Sequence, residues 1–146
     1  MVVFSEISNA EFRLLCEELG FLTPQSLSDY LVQNQPINSR PNVRACQAYF
    51  SGSSTEKVQI QQHLVDHLLE LRLRQKQFCD AQKEIFQDKN HQGTMVFMFK
   101  DQLSFWQYYP QLDGLPVAFL TAAWRRLRAD RVIDQCRFDY YEFQQN

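Results

Sequence analysis

Glycine and proline are scarce, 4 and 5 among 146 residues. A β-sandwich needs a turn roughly every 8–12 residues, so an all-β fold is ruled against at the outset. No stretch approaches the ~18 uninterrupted apolar residues of a spanning helix, and no membrane partner is expected. The opening text Met1-Val2-Val3-Phe4-Ser5-Glu6 has neither the basic nor the apolar region of a secretory signal, which predicts a cytoplasmic protein. Basic residues are not in excess: 15 stand against 17 acids, for a net charge of −2. The broad cationic footprint of a dedicated nucleic-acid binder is therefore missing. The cysteines at 16, 46, 79 and 136 match neither a zinc spacing nor a C-x-x-C pair. Reduced, buried thiols are expected of them. A glycine-rich nucleotide loop and a catalytic signature are lacking as well, so no catalytic residue, metal or cofactor is assigned and no enzyme activity is expected.

What is present is apolar material sufficient for one core, at 45% hydrophobic residues, patterned mostly for helices. Ser8-Asn9-Ala10-Glu11 has the form of a capping box, and Phe12, Leu15, Cys16 and Leu19 follow at helical spacing until Gly20. Thr23-Pro24 reads as the start of a second helix, with Leu27, Tyr30 and Leu31 as its stripe, ending near Asn34. Pro36 and Pro41 mark a connector. Pro41 can then open a third helix, with Val43, Cys46, Ala48, Tyr49 and Phe50 inside it, closed by Gly52.

Ser53-Ser54-Thr55-Glu56 is a second capping box, and neither Gly nor Pro follows before Asn90. This predicts a long central helix of about 35 residues, on the order of 50 Å. Its seam runs through Leu64, Leu68, Leu71, Phe78 and Ile85, and loses aliphatic character at Gln75 and Gln82. Residues 58–73 are accordingly expected to be buried and 74–89 half exposed, with Phe78 and Ile85 forming an interface if two copies pair.

Beyond the turn at 90–93 the text becomes aromatic: residues 95–143 hold 12 of the 20 Phe, Trp and Tyr. Met95-Val96-Phe97-Met98-Phe99 reads as a short buried strand, Asp101 as the cap of a short helix stopped by Pro110, and Val117, Leu120, Ala123, Trp124 and Leu127 as the inner face of a last helix. Two further strands are expected at 132–133 and 138–143, turning at Asp134-Gln135.

Four constellations carry the possible chemistry. His63 and His67 stand at i and i+4, the spacing that brings two imidazoles to one metal ion. His63-Leu64-Val65-Asp66-His67 resembles the inverted zinc-peptidase signature, which implies a small metal-dependent hydrolase, with Asp66 where that family has Glu. A polar stripe flanking the seam is the plainer account. A cysteine hydrolase would need a base beside one of the thiols, and no local signature supplies one.

Residues 15–30, through Leu19-Gly20-Phe21 and the Ser26 and Ser28 that follow, resemble the helix-turn-helix of bacterial transcription regulators. The resemblance implies DNA recognition by a helix that here carries no Lys or Arg. Trp124-Arg125-Arg126-Leu127-Arg128, followed by Val132-Ile133 and Tyr140-Tyr141-Glu142-Phe143, resembles the last helix and wing of a winged-helix domain, with Arg131 where that family usually has Gly. Arg125, Arg128 and Arg131 are expected on the solvent edge of this helix. They either meet an anionic ligand or pair with the acidic stretch 1–35, where five acids stand against Arg13.

Finally, Trp, Tyr and Arg dominate interface energetics, and Trp106, Tyr108, Tyr109, Tyr140 and Tyr141 are more rings than one core face absorbs. One tyrosine of each adjacent pair is expected to face outward. These readings converge on a mainly α single-domain helical bundle with one long central helix and a small β element near the C-terminus, helical over 1–92 and aromatic-rich α+β over 93–146. The expected function is a protein-binding module, an adaptor, chaperone-like factor or subunit, acting through Trp106, Tyr108, Tyr109, Arg125, Arg128, Tyr140 and Tyr141, with a homodimer through Phe78 and Ile85 as a further expectation. A winged-helix or helix-turn-helix DNA-binding regulator is the alternative, and a small hydrolase the third.

Overall fold

The computed structural model describes residues 2–34, 41–87, 95–134 and 136–141. The fold is mainly α: α1 (Asn9–Glu18), α2 (Pro24–Asn34), α3 (Val43–Ser51), α4 (Gln62–Gln87), β1 (Met95–Met98), α5 (Gln102–Tyr108), α6 (Val117–Ala129) and β2 (Arg137–Tyr140). The connector expected at 35–40, the turn at 90–93 and the end of the strand expected at 138–143 lie outside the described residues. The chain divides into two compact units, 1–74 and 75–146, with the boundary inside α4.

In the first unit the helices start where short polar side chains satisfy their first free N–H groups. Ser8 Oγ accepts from Glu11 N at 3.1 Å, Thr23 Oγ1 from Ser26 N at 3.1 Å, and Asn42 Oδ1 from Ala45 N at 2.9 Å. α1 ends in a Schellman motif: Phe21 N–H reaches Cys16 O at 2.9 Å and Gly20 takes the left-handed conformation, φ 95°. Phe12, Leu15, Cys16, Leu27, Leu31 and Cys46 are buried between these helices.

The second capping box behaves differently from its sequence reading. Ser53 Oγ does accept from Glu56 N, at 3.1 Å, but Ser53 N also donates to Glu56 O at 3.2 Å, and a closed turn results instead of a helix start. Residues 57–60 then run extended, and the strand-like segment 3–5 pairs with 60–62 through Ser5 N to Ile60 O and Gln62 N to Val3 O, both 2.8 Å. The long helix therefore begins at Gln62 and has 26 residues.

Residues 74–87 are largely exposed, as expected, but the seam does not break at its glutamines. In the first unit Leu64, Val65, Leu68 and Leu71 are buried, and in the second Gln75, Phe78, Cys79 and Gln82 continue the same 3–4 spacing, Gln75 being only 2% exposed. A glutamine has the length of a methionine, and its stem packs on a seam when the amide finds a partner, so polarity alone does not break the stripe.

In the second unit Asp101 caps α5, its Oδ1 accepting from Ser104 N at 2.8 Å. A 3₁₀ turn at Pro110–Leu112 and Gly114, φ 85°, lead into α6, which buries Phe119, Leu120, Ala123, Trp124 and Leu127 on one face. The hairpin expected at 132–143 is not formed. Val132 N–H bonds Leu127 O at 2.9 Å and Arg131 N–H bonds Arg128 O at 3.0 Å, so residues 130–132 close α6 as a Schellman motif, and Ile133 is buried in a turn. Arg131 occupies the left-handed position with φ 60°. β2 pairs in parallel with β1, Val96 opposite Phe138 and Met98 opposite Tyr140, and among the described residues no wing follows α6.

Candidate functional site

The two-stranded sheet and the elements around it hold most of the residues singled out from the sequence. A parallel ladder alternates the direction of backbone groups, and Tyr141 N–H, bonded to Met98 O at 2.8 Å, sets the phase. Arg137, Asp139 and Tyr141 turn their backbone groups toward β1, whereas Phe138 and Tyr140 turn theirs away. The far side of β1 is closed by α6, because Trp124 Nε1–H donates to Phe97 O at 3.1 Å. The far side of β2 has no strand partner among the described residues. All four β2 residues are exposed, Phe138 at 39% and Tyr140 at 46%.

Side chains alternate across the same strand. On one face the Phe138 ring carries the Arg128 guanidinium at 5.7 Å and the Tyr140 ring carries the Lys100 ammonium at 4.8 Å. Such cation–ring pairs fix a long flexible side chain over an apolar surface while leaving its charge outward. On the other face Tyr141 packs against Phe97 and Phe99, with ring centroids at 5.4 and 5.5 Å. Tyr108 joins that cluster, 5.1 Å from Tyr141, and is itself exposed.

The tyrosine pairs divide as their adjacency implied. Tyr108 faces out, and Tyr109 faces in between Phe78, Phe99 and Phe105, where burial pushes its hydroxyl pKa well up. Tyr140 is exposed and Tyr141 half-buried. Trp106 is half-buried too, and its indole N–H is spent on Leu115 O at 2.7 Å. Phe78, expected at an interface between copies, is 5% exposed and packs on Tyr109 and Trp124 at 5.3 and 5.5 Å. Ile85 is exposed. The structure thus brings Tyr108, Tyr140, Tyr141 and Arg128 to the sheet, together with Phe138 and Lys100, which the sequence reading passed over. Their signal was the alternation Arg137-Phe138-Asp139-Tyr140, with each aromatic two residues from the next.

The arginines of α6 lie on its outer edge: Arg125, Arg126 and Arg128 are exposed, and so is Arg131 in the turn that closes the helix. Arg13–Glu17 and Lys76–Asp80 form ion pairs within 4 Å, and among the described residues no α6 arginine takes part in one. α2, which the helix-turn-helix resemblance makes a recognition helix, presents Gln25 and Asp29 joined by a 2.7 Å hydrogen bond.

In the first unit His67 is half-buried, its ring stacked on Tyr30 with centroids at 5.7 Å, and its Nε2 shares a 2.7 Å hydrogen bond with the Tyr30 hydroxyl. Burial holds the His67 pKa below its ordinary value and pushes Tyr30 up to about 12. His63, one turn earlier, is exposed. No cluster of three or more His, Cys, Asp or Glu with metal-holding geometry occurs among the described residues, and no described helix is long and apolar enough to cross a membrane. Cys46 and Cys79 are buried with thiol pKa values pushed up to about 11, the opposite of a primed nucleophile. Set beside protein-family models, curated proteins and solved structures, the chain matches none.

Proposed function

We propose that the protein is a non-enzymatic protein-interaction module whose partner is held at the exposed face of β2. One observation carries this: Phe138 and Tyr140 stand exposed on one strand face, each under a cation, Arg128 and Lys100. Aromatic rings supply contact area at small entropy cost, and a guanidinium already positioned over a ring meets a partner carboxylate with little further ordering. Arg125 lies three residues before Arg128 on the same exposed helix edge and extends the cationic rim. The partner is accordingly a protein with an apolar patch bordered by acids. Cytoplasmic residence belongs to the same proposal.

The test is affinity capture with the full chain, followed by binding of the captured protein to wild type and to an Arg128→Gln/Phe138→Ser variant. Loss of at least ~10-fold in affinity, about 1.4 kcal/mol, at unchanged melting temperature is the expected result. Unchanged binding overturns the site. A second reading, a nucleic-acid ligand, is favoured by the exposed α6 arginines that lie outside the ion pairs of the described residues. Duplex affinity that falls steeply with salt and is lost in Arg125→Gln/Arg128→Gln/Arg131→Gln would replace the first reading with this one.

A further inference from the structure

We infer that the open edge of β2 pairs with β2 of a second copy, antiparallel, about a two-fold axis at Phe138. The inference does not rest on the partner proposed above, which meets a face of the strand and not its edge. Phe138 is the β2 residue whose N–H and C=O both point away from β1 and have no partner among the described residues. The other outward N–H, that of Tyr140, is covered by the Asp139 carboxylate at 2.8 Å. Unpaired edges invite another strand, and a carboxylate folded onto one edge N–H is a partial guard that an incoming strand can displace.

The order of residues specifies the register. Placing Phe138 opposite its own symmetry mate makes the pair that exchanges two backbone hydrogen bonds. Its neighbours then form the close, non-hydrogen-bonded pairs, Arg137 opposite Asp139 of the second copy and Asp139 opposite Arg137. Both are opposite-charge pairs on one face, and both arise from a single operation, as an isologous interface requires. Moving the two-fold axis one residue along the strand, a register shift of two, sets Asp139 opposite Asp139 and loses both. Asp139 released from Tyr140 N–H is the group that answers Arg137, so opening the edge and closing the ion pair are one movement. The product is a four-stranded sheet in the order β1, β2, β2, β1 that shows two sets of Phe138 and Tyr140 on one face. A four-residue strand pair buries far less than the ~1,200 Å² of a stable interface, so the dimer is weak and concentration-dependent.

The experiment is sedimentation velocity on the full chain from about 10 µM to about 1 mM, a range that brackets weak association. Wild type, Arg137→Asp, Asp139→Arg and the double charge exchange are compared, with circular dichroism confirming the fold. Wild type is expected to pass from monomer to dimer. Each single variant, which turns both pairs repulsive, weakens dimerisation at least ~10-fold, and the double exchange returns it to within ~3-fold of wild type. Phe138→Pro, which removes an outward N–H and leaves the β1 ladder intact, abolishes the dimer. A monomer at every concentration, a dimer indifferent to the single exchanges, or a double exchange without recovery overturns the inference.

Discussion

Asn9 and Val58 exchange two hydrogen bonds across 49 residues of chain: Asn9 Nδ2 donates to Val58 O at 2.9 Å, and Asn9 Oδ1 accepts from Val58 N at 3.1 Å. The carboxamide stands in for a strand neighbour and gives the extended segment before α4 its missing partner. A third bond, Nδ2 to Tyr49 O at 3.1 Å, ties the end of α3 to the same side chain, which is 2% exposed. Asn9→Leu strands two carbonyls and one N–H in a partly buried place, and unmade bonds there cost more than made ones contribute. A loss of about 2–4 kcal/mol in urea denaturation is expected. Gly52→Ala should act through the same clamp, since a Cβ at 52 would overlap the Asn9 carboxamide.

The two Schellman ends invite opposite substitutions. Gly20 and Arg131 occupy the same left-handed position after α1 and α6. A residue with a Cβ pays for that conformation where glycine does not. Arg131→Gly is therefore expected to stabilise the protein by about 0.5–1 kcal/mol, and Gly20→Ala to destabilise it by about 1 kcal/mol. Thermal melts of the two variants check both signs.

Acid should weaken the first unit through His67. Its pKa is held below 6.5, first by burial and further by Arg74 and His63, with Glu70 opposing them. A group depressed in the folded state is protonated first in the unfolded chain. Its contribution to stability is whole above pH 6.5, and declines as pH falls below 6.5 until the folded pKa is passed. In His67→Gln that portion of the pH dependence should vanish from denaturation curves taken between about pH 4 and 8. Tyr30→Phe, which deletes the hydroxyl bonded to Nε2, should cost about 1 kcal/mol at pH 8.

Thiol labelling should rank the cysteines by burial. Cys16, Cys46 and Cys79 are buried, and burial raises all three thiol pKa values, whereas Cys136 is half-buried with a smaller rise. Native protein at pH 8 is expected to react rapidly at Cys136 alone, and in denaturant all four should react. Mass spectrometry of the labelled peptides assigns the site, and rapid native labelling of Cys16 would contradict the described packing.

The local signals, which act over three or four residues, were readable from the text alone. Ser8, Thr23 and Asp101 cap because a short polar side chain reaches an N–H two or three residues ahead whatever the rest of the chain does, and Asn42 caps α3 for the same reason although Pro41 was the signal read there. Gly20 stops α1 for a similarly local reason, and the 3–4 spacing of Leu64, Leu68, Leu71 and Phe78 marks one helix face before any neighbour is known. The mainly α class with a small β element near the C-terminus follows from those signals. Long-range competition decided the rest. Ser53 and Glu56 form a cap-like contact, yet the chain leaves it extended, because Asn9 and the segment 3–5 offer 58–62 hydrogen bonds that a helix would forgo. Arg131 is held left-handed by the bonds closing α6, a cost that propensity alone would have refused. The pairing of β2 with β1 joins residues about forty apart, and an alternating strand carries no mark of which partner, or which direction, it will find. That choice put Phe138, Tyr140, Arg128 and Lys100 together, and it left the outer edge of β2 without a strand partner among the described residues.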